Sequence, residues 1–456
     1  MKKNELIEVR IESHEFPATG IGYADGVKVS VKGAFPSQKV SARVSKNRNG
    51  KAEAKLRGVC EKAPYEIDAP CRHFGKCGGC ISQNIPMDLQ EKMKNDEVVN
   101  LFSEAGLPMG IYEGLVAVKE QYGYRNKMEF TFGDEVRNGE LTLGMHYRGV
   151  KNAVVNVDGC LLVPEDFTKI LSYTVEHFRK LGTPYYRVMK WEGVLRHLMI
   201  RRGENTRELM VNLITTTKGE LDTEVWKKGL MELELDYDLV SVLHTENDNP
   251  ADAVNCDKLN VLEGRDHIFE ELLGLKFKIS PFSFFQTNTK GAELLYSTVR
   301  SFISEKKNEI FDLYCGTGTI GQIVSEYADR VIGVEIIEEA ASAANENAVL
   351  NGLDHTTFIA GDVKDVIAKL ESSPDLIILD PPRGGVHPKA LEYVVNFKAN
   401  EIIYVSCNPK TLVSDLKYLT AKGYEIKRTK VVDLFPNTPH IETVILLQRE
   451  KPQHVV

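Results

Sequence analysis

No uninterrupted apolar run in this chain approaches the ~18 residues that a membrane-spanning helix requires. The first sixteen residues interleave charges with apolar side chains and lack a hydrophobic signal core, so a cytoplasmic protein with no membrane partner is expected. Cysteine is sparse, eight in 456 residues, and thinly spread. That is not the density of a small secreted disulfide framework, and metal binding or catalysis is the better expectation. Nor is there a global excess of positive charge: the net charge is -8, so any polyanionic partner must be met by a local patch. Internal repeats and low-complexity tracts are missing too, and no obligate protein partner is evident.

What is present divides into about three domains at ~100–200 residues each. Between positions 28 and 57 lie Lys28, Lys32, Lys39, Arg43, Lys46, Arg48, Lys51, Lys55 and Arg57, opposed within that stretch only by Glu53. Short alternating runs there, separated by glycine and proline, predict a small OB-like β-barrel over residues 1–62, with a basic surface suited to an RNA backbone. A cysteine-bearing region, 63–94 together with Cys160, follows. Apolar spacing predicts a helix over 87–106, and strand-like runs at 127–132, 141–147, 194–201 and 209–215 predict a central α+β domain over 95–275. In that domain Tyr124-Arg125-Asn126-Lys127, Arg196-His197 and Arg201-Arg202 are candidate RNA contacts.

The rhythm changes in the last third. Strand patterns at 310–315, 331–336, 357–360, 376–379 and 402–405 alternate with helical ones, most clearly at 338–351. This predicts an α/β, Rossmann-like, doubly wound parallel sheet over 276–456. Two further strands, near 424–432 and 443–448, are expected to close one edge as a hairpin. In an open sheet of this kind ligands bind beyond the carboxyl ends of the strands, and the chemistry-bearing residues fall there.

Asp312-Leu313-Tyr314-Cys315-Gly316-Thr317-Gly318-Thr319-Ile320-Gly321 has GxGxxG spacing after a strand and before a helix. Alone it suits a dinucleotide, a methyl donor or merely a tight turn. The next strand ends in Glu335, placed to accept from ribose hydroxyls, and the third in Gly361-Asp362, near an adenine amine. Acidic ends on successive strands favour a cationic donor, S-adenosylmethionine, over a pyrophosphate. Asp362 has the alternative of capping the following helix. Asp380-Pro381-Pro382-Arg383 ends another strand, and Tyr404-Val405-Ser406-Cys407-Asn408-Pro409 sets a cysteine at the end of the next, before a helix whose dipole favours thiolate. Cys315 is read as filler in the glycine turn, and Cys60 and Cys256 as ordinary small apolar residues.

Cys71, Cys77 and Cys80 have CxxxxxCxxC spacing in a Gly-rich loop, and Cys160 lies about eighty residues on. Three local thiols and one distant one can hold zinc or a [4Fe-4S] cluster equally well. The spacing departs from the CxxxCxxC of radical enzymes, which implies a structural or RNA-positioning role.

Taken together, the glycine turn, Asp380-Pro381-Pro382-Arg383-Gly384-Gly385, the Cys407 motif and the run from Asp433-Leu434-Phe435-Pro436 to Thr438-Pro439-His440-Ile441-Glu442 resemble the RNA uracil-5-methyltransferase family. The barrel resembles a TRAM domain, and the cysteine loop resembles the iron-sulfur site of the branch acting on 23S ribosomal RNA. The resemblance implies that Cys407 adds to uracil C6, that Glu442 removes the C5 proton, and that Asp380 is an acid where donor and uracil meet. Gln286, Tyr314, Gly316, Gly318, Glu335 and Asp362 would bind S-adenosylmethionine. A [4Fe-4S] cluster, with zinc as second choice, would sit on Cys71, Cys77, Cys80 and Cys160. His440 is equally compatible with a structural role. The competing expectations are the same chemistry on transfer RNA, a DNA cytosine-5 methyltransferase, from whose Pro-Cys loop Ser406-Cys407 departs, and a non-catalytic RNA-binding iron-sulfur protein.

Overall fold

The computed structural model describes residues 1–150, 152–251, 255–370 and 372–450. Five strands open the chain: β1 (Leu6–Glu15), β2 (Thr19–Ala24), β3 (Val27–Lys32), β4 (Lys39–Arg48) and β5 (Lys51–Glu61). They close into a barrel in the order β1-β2-β3-β5-β4, because alternate residues such as Val9, Ile11, Val29, Val31, Val40 and Ala42 point inward. The expected basic surface is partly neutralised by acids from outside the basic stretch. Glu15 pairs with Lys28, Glu8 with Lys39, and Glu61 with Arg10. Lys32, Arg43, Arg48, Lys51, Lys55 and Arg57 stay exposed. Arg43 lies directly opposite Lys55, which lies opposite Lys32, and unpaired like charges across a sheet are unfavourable without an anion nearby.

After the cysteine loop comes α1 (Met87–Ala105), stopped by Gly106 in the left-handed conformation at φ 67°. Next is β6 (Ile111–Ala117). The central sheet then gathers β7 (Lys127–Gly133), β8 (Thr142–His146), β9 (Val154–Asn156), β10 (Leu195–Gly203), β11 (Glu208–Thr215), β12 (Asp238–Glu246) and β13 (Lys258–Gly264) in the order β13-β12-β11-β10-β7-β8-β9. Helices α2 (Glu165–Leu181) and α3 (Thr223–Met231) contribute Phe167, Phe178 and Trp226 to the core beneath it. Because β10 is the middle strand, all nine of its residues are buried.

The expectation of RNA contacts on that strand is therefore overturned. Arg201 is 3% exposed and donates to the carbonyls of Ser280, Pro281 and Ser283. Arg196 is held by the carbonyls of Asn247 and Asn249, and Arg202 by that of Gly123. Asn126 is buried against Gln286 and Thr289. These cations are spent inside the protein, satisfying carbonyls that no strand reaches.

A short hairpin, β14 (Ile268–Leu272) and β15 (Leu275–Ile279), and α4 (Thr289–Ser301) lead into the last sheet. It contains β16 (Lys307–Leu313), β17 (Ala328–Glu335), β18 (Thr356–Ala360), β19 (Leu376–Leu379), β20 (Glu401–Ser406), β21 (Tyr424–Asp433) and β22 (Glu442–Arg449). The helices α5 (Thr319–Ile323), α6 (Glu338–Leu350), α7 (Val363–Ile367), α8 (Pro388–Asn396) and α9 (Pro409–Ala421) connect them. The order is β18-β17-β16-β19-β20-β22-β21-β6, with β16 to β20 parallel. The expected hairpin of β21 and β22 is present, but it does not form the edge. β6, from the stretch assigned to the central domain, pairs parallel with β21 and takes that place. Among the described residues no helix is long and apolar enough to cross a membrane.

Candidate active site

Strand order reverses between β16 and its neighbours β17 and β19, the place where an open sheet leaves a crevice. A cavity of about 1420 Å³ lies there. Its walls carry Tyr314, Gly316, Glu335, Asp380 and Cys407, which end or follow the parallel strands, together with Gln286. β22 runs antiparallel to β20, with Thr443 opposite Ser406, so its first residue, Glu442, arrives at the same edge as Cys407. Reversing one strand is what brings a thiol and a carboxyl from adjacent strands together.

The glycine turn is locally determined. Tyr314, Gly316 and Gly318 all have positive φ, at 67°, 55° and 71°. Gly316 faces open space, while a Cβ on Gly318 would meet the Phe358 ring at 2.6 Å, so only glycine packs there. Glu335 accepts from the N–H of Gly316 at 3.0 Å and of Ile337 at 2.9 Å, which fixes its carboxylate at the cavity wall. Gly318 and Asp362 do not line the cavity. Asp362 caps α7 by accepting from the Lys364 N–H at 3.1 Å, and it pairs with the Lys364 ammonium at 2.7 Å. The helix-capping contact is thus made.

Acids crowd the floor. Burial pushes Asp312 up to about 7, with Glu335 adding to the shift against a hydrogen bond from Gly321. Asp380 is likewise pushed up to about 7 by burial and then by Asp312. Glu442 is raised well above the usual carboxylate range, first by burial and then by Asp380, with Arg383 opposing. Asp312 directs one oxygen to the Gly321 N–H at 2.8 Å, and its other oxygen is buried without a hydrogen-bond partner. Such a site suits a ligand that brings positive charge, as the sulfonium of S-adenosylmethionine does.

The thiol of Cys407 is pushed up to about 11, chiefly by burial and then by Glu442 and Asp380. The helix that follows therefore does not by itself make it a thiolate. The nearby Arg383 opposes the shift by its positive charge. Its backbone is anchored beside Cys407, since its carbonyl accepts from Asn408 Nδ2 at 2.8 Å. Its guanidinium also reaches His440 Nδ1 at 3.2 Å. The sequence displayed Arg383 and His440 inside motifs but gave no sign that they meet.

The segment 433–442 that delivers Glu442 is pinned from several directions. Lys94 of α1 pairs with buried Asp433 at 2.6 Å and donates to the Phe435 carbonyl. Tyr124 donates to the Pro436 carbonyl, and Asn288 to that of Leu434. The Asn437 carbonyl accepts from the Ile81 N–H, so the cysteine loop touches this segment directly.

That loop does bring its four thiols to one place. Cys71, Cys77, Cys80 and Cys160 line a second cavity of about 20 Å³, walled by Phe74, Met128, Met145, Val157 and Leu162. Burial raises Cys77, pushes Cys80 up to about 12 and pushes Cys160 up to about 11. Even so, no group of three or more His, Cys, Asp or Glu among the described residues stands as a ready metal site. Cys60 and Cys256, read as ordinary small apolar residues, are exposed, and Cys256 borders the large cavity.

Comparison with known proteins matches this geometry. A family model described as tRNA (Uracil-5-)-methyltransferase matches residues 257–450. A protein of Clostridium tetani described as an RNA methyltransferase is 52% identical over 99% of both chains. Another so described, from Listeria monocytogenes, is 33% identical over 98% of both. Among solved structures, the tRNA (uracil-54, C5)-methyltransferase of Pyrococcus abyssi, in complex with S-adenosyl-L-homocysteine, superimposes with a TM-score of 0.76 at 25% identity, covering 96% of this chain and 99% of its own. With an S-adenosylmethionine-type crevice, a cysteine and a carboxyl at one sheet edge and these relatives, the chain belongs to the S-adenosylmethionine-dependent RNA methyltransferases of the uracil-5 family.

Proposed function

We propose that this enzyme methylates C5 of uridine in 23S ribosomal RNA, with Cys407 as nucleophile and Glu442 as base. The observation that carries the reading is the convergence of Cys407, Arg383, Asp380 and Glu442 on one cavity wall. Uracil C5 is a poor nucleophile until a thiolate adds to C6, which moves the C5–C6 π pair into an enolate. Arg383 favours the thiolate of Cys407. Bound S-adenosylmethionine supplies an electrophilic methyl group for C5. Glu442 then takes the C5 proton, the C–H pair restores the ring double bond, and Cys407 leaves as thiolate. Asp312, Asp380 and Glu335 offer negative charge to the cationic donor, with Gln286 and Tyr314 beside it.

The exposed cation row Arg43, Lys55 and Lys32 on the barrel supports an RNA substrate of either kind, and the choice of 23S RNA rests on the resemblance of the cysteine loop to that branch. Transfer RNA is the second reading, favoured by the substrate in the description of the Pyrococcus relative. For the cysteine loop, four convergent thiols in an apolar wall fit a [4Fe-4S] cluster, or zinc, bound by Cys71, Cys77, Cys80 and Cys160. Such a group would supply a covalent cross-link between the loop and the central sheet. The reaction is expected to run in the cytoplasm. Mapping 5-methyluridine in ribosomal and transfer RNA from a strain lacking this gene tests the reading. Loss from 23S RNA alone supports it, loss from transfer RNA alone supports the second reading, and no loss in either removes both.

A further inference from the structure

The pocket must do more than hold a thiol beside C6. When Sγ bonds to C6, the displaced π pair runs through C5 and C4 to the exocyclic oxygen O4, which becomes an enolate oxygen until C5 takes its methyl group. A donor aimed at O4 would lower that barrier. It would also separate uracil from cytosine, whose C4 carries an amino group that itself donates.

His440 lines the same cavity as Cys407 and Glu442. One of its ring nitrogens lies 3.2 Å from a guanidinium nitrogen of Arg383. Guanidinium has hydrogens to give and no lone pair, so the imidazole nitrogen facing it must be the acceptor. In a neutral ring the other nitrogen then carries the hydrogen, whichever way the ring is turned. Burial, and then the positive charge of Arg383, hold His440 down to about 4, so the ring is neutral over the working range. The imidazole is steadied by Phe435, edge-on at 6.1 Å, and its backbone N–H donates to Thr438 Oγ1 at 3.3 Å.

Placement of the base follows from its chemistry. With C6 at Cys407 and the C5 hydrogen toward Glu442, C4 and O4 lie past C5 on the Glu442 side, and His440 is two residues from Glu442 along the chain. We propose that His440, through the ring N–H opposite Arg383, donates a hydrogen bond to O4 of the target uracil, steadying the enolate oxygen and excluding cytosine. This rests on uracil C5 methylation as the reaction.

The test is single-turnover methyl transfer by wild type, His440→Ala and His440→Gln on a 23S RNA or transfer RNA transcript, whichever wild type methylates. The target carries either uracil or 4-thiouracil, whose sulfur accepts poorly. Removing the donor is expected to slow transfer about 10²–10³-fold, with KM for RNA little changed. Gln, which can donate from a similar reach, should restore part of the rate. The thio substitution should slow wild type but add nothing in His440→Ala, with melting curves confirming that both variants fold. Equal thio effects in wild type and His440→Ala, or an undiminished rate in His440→Ala, would overturn the assignment. A wild-type enzyme that methylates uracil C5 in neither RNA overturns the reading beneath it, and the assignment falls with it.

Discussion

Among the described residues a large and a small cavity both hold cysteine, and burial raises Cys407 in the first and Cys77, Cys80 and Cys160 in the second. Cys407 is pushed up to about 11, Cys160 to about 11 and Cys80 to about 12. What separates them is company. Cys407 faces about 1420 Å³ of space beside the Arg383 guanidinium, whose charge favours the thiolate. The four loop cysteines face one another across about 20 Å³ of apolar wall, where each thiolate would repel the next. Cys407 has a cation and room for a substrate beside it, whereas the four loop cysteines have chiefly one another. Burial alone does not mark a nucleophile.

The sharpest way to break this contrast is Cys407→Ser. It is expected to reduce methyl transfer at least about 10⁴-fold while leaving the melting temperature near that of wild type. Glu442→Gln should reduce turnover about 10²–10⁴-fold but still allow the sulfur-carbon bond, so a covalent protein-RNA band should accumulate on denaturing gels. Replacing Cys77 and Cys160 by serine should act on the other cavity only. Iron or zinc content, measured by elemental analysis, should fall and the protein should melt earlier, with single-turnover methyl transfer changing less than about tenfold.

Smaller effects separate buried from exposed cations. Arg201→Met should cost about 2–4 kcal/mol in urea unfolding, since three carbonyls lose their donor, and should leave the salt dependence of RNA binding unchanged. Removing Lys32, Arg43 and Lys55 together should instead flatten that slope by about 2–3 with stability nearly intact. The least effect concerns pH. Asp312 and Asp380, raised to about 7, keep their protons in the folded state at pH values where the unfolded chain has lost them. Their contribution to stability is complete below about pH 4 and lost as pH rises through 7. Thermal melts of the donor-free protein should show Asp312→Asn losing less stability than wild type between about pH 4 and 7.

Much of the fold was legible because pattern and position coincide. The parallel strands announce themselves as β-branched runs such as Ile402-Ile403-Tyr404-Val405, and strand ends tell where Glu335, Asp380 and Cys407 must lie. Residues that act by burial were not legible. Arg201 and Arg202 look like surface cations until β10 is known to be the middle strand. Asp362 has one sequence context for two roles, and only the structure shows that the contacts with Lys364 are made. The Arg383–His440 contact joins positions 57 apart, and no local spacing encodes it.

β6 has a consequence for biosynthesis. Its partner Arg428 lies opposite Ile111, so more than three hundred further residues must leave the ribosome before that strand is covered. Until then its hydrogen-bonding edge is bare and open to association with other chains. A fragment beginning at residue 276 would lack this strand altogether, exposing β21 in turn. Excising the C-terminal portion as a miniature catalyst should therefore yield an aggregating polypeptide unless residues 111–117 are supplied again.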